Sequence, residues 1–192
     1  MKRILMFASM ALLSAGAFAQ TSGALAQTKI AHVNFTEIVQ LTPDADAART
    51  TMKASQKEAE DTFQSMYEEY QTKMNQYQQK NATWTPAIKE AKEKELGDIQ
   101  QRLQEFQQQI SQELQQQQAQ LFAPIYDKAQ ETVKKIARDM GLTAVFDSSS
   151  ALYFDEATTV DITPDARKAM NIPYDRTLEQ LQQELAAEQQ AQ

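Results

Sequence analysis

The chain has 192 residues, a formal net charge of −7, one His and no Cys. This excludes a disulfide scaffold, thiolate metal sites, Cys nucleophiles and any two-His mechanism, and argues against a general nucleic-acid binder. Glutamine reaches 28 residues while Gly (4) and Pro (5) are scarce. That composition suits long helices and opposes turn-rich sandwiches, propellers and doubly wound sheets.

Lys2 and Arg3 precede an apolar run from Ile4 to Leu13, and Ala17-Phe18-Ala19 forms a small-x-small site. The pattern is that of a secretory signal peptide over 1–19, with Ala24-Leu25-Ala26 as an alternative site and cleavage after 26. Residues 20–28 are expected to be a disordered N-terminus. No Cys follows the run to carry a lipid, and no other stretch is apolar enough to span a bilayer. The expected product is exported and soluble, with the bacterial periplasm as its location.

Lys29 to Phe35 alternates, with Ala31, Val33 and Phe35 on one face and Ile30, His32 and Asn34 on the other. It reads as a strand. Glu37 to Leu41 follows as a helical turn. Thr42-Pro43-Asp44 is a helix start with a Thr cap, an N1 proline and acid in the first turn. Met52, Ala59 and Met66 recur every seven residues, as do Phe63, Tyr70 and Tyr77. This is a coiled-coil seam, interrupted by Gln56 and Lys73.

Asn81 to Pro86 breaks the pattern, and Thr85-Pro86 restarts a helix. Leu96, Ile99, Leu103, Phe106 and Ile110 keep 3-4 spacing. The later apolar positions, Leu114 to Met140, stretch toward an eleven-residue repeat. Two helices, about 43–81 and 86–123, each span about 57 Å. Equal lengths and a short loop predict an antiparallel hairpin. Pro124 falls where the hairpin returns to its start and reads as a kinked joint between arm and body.

Gly141 is a helix C-cap. Leu142 to Asp147 reads as a strand, Ser148 to Ser150 as a turn, Ala151 to Phe154 as a second strand and Thr158 to Ile162 as a third. A short helix runs from Thr163 to Met170 and a last one from Thr177 to Gln189, with a fraying Gln-rich tail. The fold class is mainly α with a small β part: a long helical hairpin on a small β-body. The body comprises 29–42 and 124–170, the arm 43–123, and 171–192 forms a C-terminal helical extension. A body of three or four short strands is small for a core of its own, which points to oligomerisation.

KIAHVNF, the hairpin, Leu121 to Asp147 (LFAPIYDKAQETVKKIARDMGLTAVFD) and the closing VDIT of Val160 to Thr163 together resemble the Skp/OmpH family of periplasmic chaperones, over Lys29 to about Met170. The resemblance implies a homotrimer whose β-bodies hold three arms around a cavity. Unfolded outer-membrane proteins are held there without ATP or any other cofactor. Ile30, Val33, Phe35, Val145, Phe146, Tyr153, Phe154 and Val160 are then the candidates for the body core and trimer contacts. Well-known members are basic, whereas this chain is acidic, which leaves contact with anionic membranes or lipopolysaccharide open. Residues after Met170 exceed the shorter family pattern.

Unpaired barrel strands demand a holder with many weak, adaptable contacts. The seam residues Met52, Phe63, Met66, Tyr70 and Tyr77 are expected to hold the hairpin together. Tyr67 and Met74, off the seam, are client-contact candidates. Trp84 at the tip either staples the turn or touches clients. Lys80, Lys89 and Lys92, with Lys73 and Lys94, form a positive tip, to be weighed against ordinary pairing with nearby Glu. Gly97 either permits bending or marks close helix approach. His32 reads as a packed body residue, with a pH role as the other possibility.

No Gly is followed by Lys, so there is no P-loop, and one His supports no triad. The chain is therefore not expected to be an enzyme, and no catalytic, cofactor or metal residue is assigned. The alternative function is a coiled-coil adaptor that docks on one folded envelope partner.

Overall fold

The computed structural model describes residues 29–190. The expected signal peptide, its cleavage sites and the 20–28 segment lie outside the described residues, as do the last two. The element order is β1 (Ile30–Val33), α1 (Phe35–Gln40), α2 (Pro43–Lys80), a 3-10 turn (Asn81–Thr83), α3 (Pro86–Asp139), β2 (Ala144–Asp147), β3 (Val160–Asp161), α4 (Thr163–Ala169) and α5 (Leu178–Gln190). The chain is mainly helical with one small sheet, as expected.

Local chemistry sets the long helices. The Thr42 hydroxyl accepts from Ala45 N–H at 3.1 Å and Pro43 opens α2, with Asp44 and Asp46 against the positive end of the helix dipole. Thr85 and Pro86 start α3 in the same way. α3 ends at Gly141, whose φ of 63° suits a residue without a Cβ. Gly141 N–H bonds Arg138 C=O and Leu142 N–H bonds Ala137 C=O, a Schellman closure. Asn171 closes α4 in the same geometry.

α2 and α3 pair antiparallel without slippage. Between the Asp44–Lys128 and Tyr77–Glu93 contacts, a climb of 33 residues on α2 meets a descent of 35 on α3. The half-buried side of α2 is Met52, Ser55, Ala59, Phe63, Met66, Tyr70, Lys73 and Tyr77, in 3-4 spacing. Lys73 therefore does not interrupt the seam but lies on it. Its long apolar stem packs while its ammonium reaches Glu95. Ser55 replaces the expected Gln56 and accepts a hydrogen bond from Gln117 at 2.9 Å.

Further expectations change. α3 is one helix of 54 residues with Pro124 inside it, so the second long helix runs past 123 to Asp139. The body core also draws on the arm: Ala45 and Ala48 of α2 pack with Ile125 and Ala129 of α3. A Cβ on Gly97 would meet nothing within 4 Å, which removes close helix approach as its reason. Ala151 to Phe154 is not a strand. Asp147 ends β2 by accepting from Ser149 N–H at 3.1 Å and Phe35 N–H at 3.4 Å, and the chain turns away. β2 starts only at Ala144 because Gly141 and Leu142 are used in the helix cap.

The sheet is wholly parallel, in the order β2-β1-β3. The hairpin is thus the crossover between β1 and β2. Ala31 and Val33 face a core that also contains Ile38, Val39, Leu41, Ile162, Ala166 and Met170, so the helices cover one face. The register places Phe146 beside His32 on the opposite face.

Candidate functional site

The arm is the largest exposed feature. Its distal half is tied by polar contacts across the seam. Tyr77 donates its hydroxyl to Glu93, Lys73 pairs with Glu95, and Gln100 donates to the Tyr70 hydroxyl at 2.7 Å. Arg102 lies 3.6 Å from Glu69. Lys73 and Lys92 both hydrogen-bond the Glu95 carboxylate and hold it down to about 2. The same bond to Glu95 raises Lys73, and the Glu93 bond raises the Tyr77 phenol. Leu96 and Ile99 are buried beneath these pairs.

The candidate contact residues divide. Tyr67 is 43% exposed, its hydroxyl accepting from Gln71 at 2.8 Å. Its ring lies nearly parallel to Phe63, centroids 6.5 Å apart. Met74 is half-buried. Trp84 packs edge-on against Tyr77 with ring centroids 5.8 Å apart, the geometry of a turn staple. Lys92 is paired with Glu95 at 2.7 Å, which is the ordinary i, i+3 pairing. Lys80 and Lys89 form no ion pair among the described residues, and Lys89 is half-buried.

The body candidates divide as well. Val33 is buried; Phe35 and Val145 pack against the core from half-buried positions. Ile30 is half-buried on the other sheet face. Phe146, Tyr153 and Val160 are not in this chain's core: they are 54%, 85% and 40% exposed. Phe154 stacks on His32 at 4.2 Å, and His32 Nδ1 is buried 3.8 Å from Asp161 with no hydrogen bond. Phe146 and Val160 stand on β2 and β3, the two edge strands of the sheet.

The sequence reading missed several features. Leu152 and Tyr174 are almost fully exposed, and Ile88 and Tyr126 nearly half. The α5 helix also folds back on the arm base: Arg176 pairs with Asp46 at 2.8 Å and Glu184 at 3.3 Å, Glu188 pairs with Lys53 at 3.1 Å, and Leu181 enters the core. The Leu178-Leu181-Leu185 face signalled packing but not its target. Between α5 and the hairpin lies an open groove of about 860 Å³, with Met52, Leu114, Phe122 and Tyr126 in its wall. Among the described residues no acidic or His cluster could hold a metal ion, and no helix is long and apolar enough to cross a membrane.

A family model described as outer membrane protein (OmpH-like) matches residues 29–170. No curated protein matches the chain. Among solved structures, the fold is similar to the crystal structure of a candidate OmpH-like outer membrane chaperone from Caulobacter crescentus CB15. The TM-score is 0.67 at 13% identity, over 79% of this chain and 92% of that one. At that identity the likeness concerns the fold alone.

Proposed function

Since the chain belongs to the OmpH-like outer membrane protein family, its match spanning residues 29–170, we propose that it is an ATP-independent periplasmic holdase for unfolded outer-membrane β-barrel proteins. The observation that carries the reading is the arm. About 40 residues of α2 and as many of α3 bury little except each other, and their flanks present Tyr67 and many Gln to solvent beside a half-buried Met74. Such surfaces make many weak contacts that adapt to varied sequences. Barrel strands alternate apolar and polar residues and carry unpaired edges, so they need this kind of holder. The role needs no nucleotide and no catalytic group.

The working unit in this proposal is a homotrimer joined through the body. Parallel sheets are normally covered on both faces. Here the Phe154 ring covers His32, while Phe146 on the same face, and Leu152 and Tyr153 just before Phe154 in the chain, stay exposed. Packing these side chains against sister subunits covers the bare face and the edges of β2 and β3. Three arms would then enclose the client, with Tyr67, Met74, Lys80 and Lys89 as contact residues.

The test dilutes a urea-unfolded outer-membrane barrel into buffer with increasing amounts of the full chain, without ATP, and follows light scattering. Suppression that saturates near three chains per client is expected. Unchanged aggregation at large excess would overturn the holdase reading and favour docking on a folded envelope partner.

A further inference from the structure

We propose that the middle of α3 carries a glutamine strip that hydrogen-bonds the unpaired backbone of an extended client chain. The proposal rests on the holdase reading and names the chemistry of its contact surface. Residues 100–120 contain twelve glutamines and only three charged residues, Arg102, Glu105 and Glu113. All twelve are exposed except the half-buried Gln117. The facing helix is different: between Lys53 and Glu69, α2 carries seven charged residues. One flank of the arm is therefore charged, and the other is nearly neutral but rich in amides.

Three of the twelve amides donate within the molecule: Gln100 to Tyr70, Gln101 to Glu105 and Gln117 to Ser55. The other nine make no protein hydrogen bond among the described residues. Five of these, Gln104, Gln107, Gln108, Gln112 and Gln115, line a shallow groove of about 500 Å³ together with Ser111. Their spacing of three and four residues keeps them on one exposed stripe of α3. Helix formation alone does not require this, since Glu, Lys or Arg at these positions would serve equally well.

An amide side chain both donates and accepts, as a peptide group does. It therefore matches the N–H and C=O groups of an unpaired strand in either direction and at any sequence. Length fits too. Twenty helical steps cover about 30 Å, the span of roughly nine extended residues, close to one membrane-crossing barrel strand. Each bond replaces one to water and so gains little. Many such bonds in parallel hold a chain yet let it go. Because the contacts are neutral, salt should scarcely screen them.

The experiment measures binding of a fluorescently labelled, urea-unfolded outer-membrane barrel to the full chain by anisotropy, with oligomeric mass followed by sedimentation. The main variant combines Gln104→Ala, Gln108→Ala, Gln112→Ala and Gln115→Ala. Alanine is the strongest helix former, so the arm persists, and circular dichroism checks this. A second variant combines Gln108→Lys and Gln112→Lys, which keeps donors and removes acceptors. A control carries Lys57→Ala, Glu60→Ala and Gln64→Ala on α2.

The alanine variant is expected to bind about tenfold more weakly, the lysine variant less well than wild type, and the control within about twofold of it. The ratio of wild-type to alanine-variant affinity, which isolates the strip from charged contacts, should change less than about threefold between low and high salt. Unchanged binding by the alanine variant, with wild type still active, would overturn the strip and leave the holdase reading standing. A changed oligomeric mass in that variant would assign the strip to contacts between copies and overturn it as a client surface. Failure of wild type to bind would remove both.

Discussion

Lys73 and Glu95 meet across the hairpin seam, each about one-third exposed, with Lys92 on the second oxygen of the same carboxylate. Their seam position makes them a polar clasp for the distal arm. The unfolded carboxyl titrates near 4.5 and the folded one near 2. Its stabilisation is complete above about pH 4.5 and is lost as pH falls toward about 2. Glu95→Gln should lower the melting temperature at neutral pH. The gap to wild type should close on acidification through that window and narrow in high salt. A gap independent of pH would refute the clasp.

Ile99 is 1% exposed beneath these pairs. Ile99→Ala removes its packing and leaves a cavity, at a cost of about 2–4 kcal/mol. Urea unfolding monitored by helical ellipticity checks the value.

Gly97 has open space around its missing Cβ and no positive φ. Gly97→Ala should therefore stabilise the arm by about 1 kcal/mol. If Gly97 serves arm bending, the same variant should also alter the range of client sizes held. Stabilisation with an unchanged client range would remove that role.

The hairpin was legible because its cues are local. Thr-Pro caps, missing breakers and 3-4 apolar spacing act within a few residues. The sheet was less legible because its pairing is non-local. β1 takes its partners from residues 144–147 and 160–161, and Ala151 to Phe154 has strand-like residues but no strand to join. Apolarity alone also does not separate Phe146, Tyr153 and Val160, which this chain leaves exposed, from Val33 and Ile162, which it buries. The packing of Trp84 shows only through its partner Tyr77, and the α5 docking only through Arg176 and Asp46. The amide strip was visible as composition, but its grouping on one flank required the helix.

The contact between Arg176 and Asp46 predicts that α5 braces the arm base. Leu181→Ala should weaken this docking by about 2 kcal/mol. Combined with Arg176→Ala, it should raise amide exchange at residues 43–56 and not at the tip. Exchange unchanged there would show that α5 carries no load.

The bare sheet face yields a variant that separates folding from assembly. Phe146→Asp with Tyr153→Asp places charge where a single chain exposes its side chains to water. Helical content should persist while sedimentation shifts from trimer to monomer. A mass unaffected by both substitutions would place the subunit contacts elsewhere.

The position of β1 at the centre of the sheet orders events during synthesis. This strand emerges first, yet its neighbours are made more than a hundred residues later. A flexible loop of that length would have to find its own ends by diffusion. The hairpin, built from contacts that zip progressively from its turn, shortens the search: once α2 and α3 are aligned, residues 44 and 128 are already side by side. A proline placed mid-seam should therefore delay β-body formation as well as damaging the arm, leaving the oldest part of the chain the last to find its place.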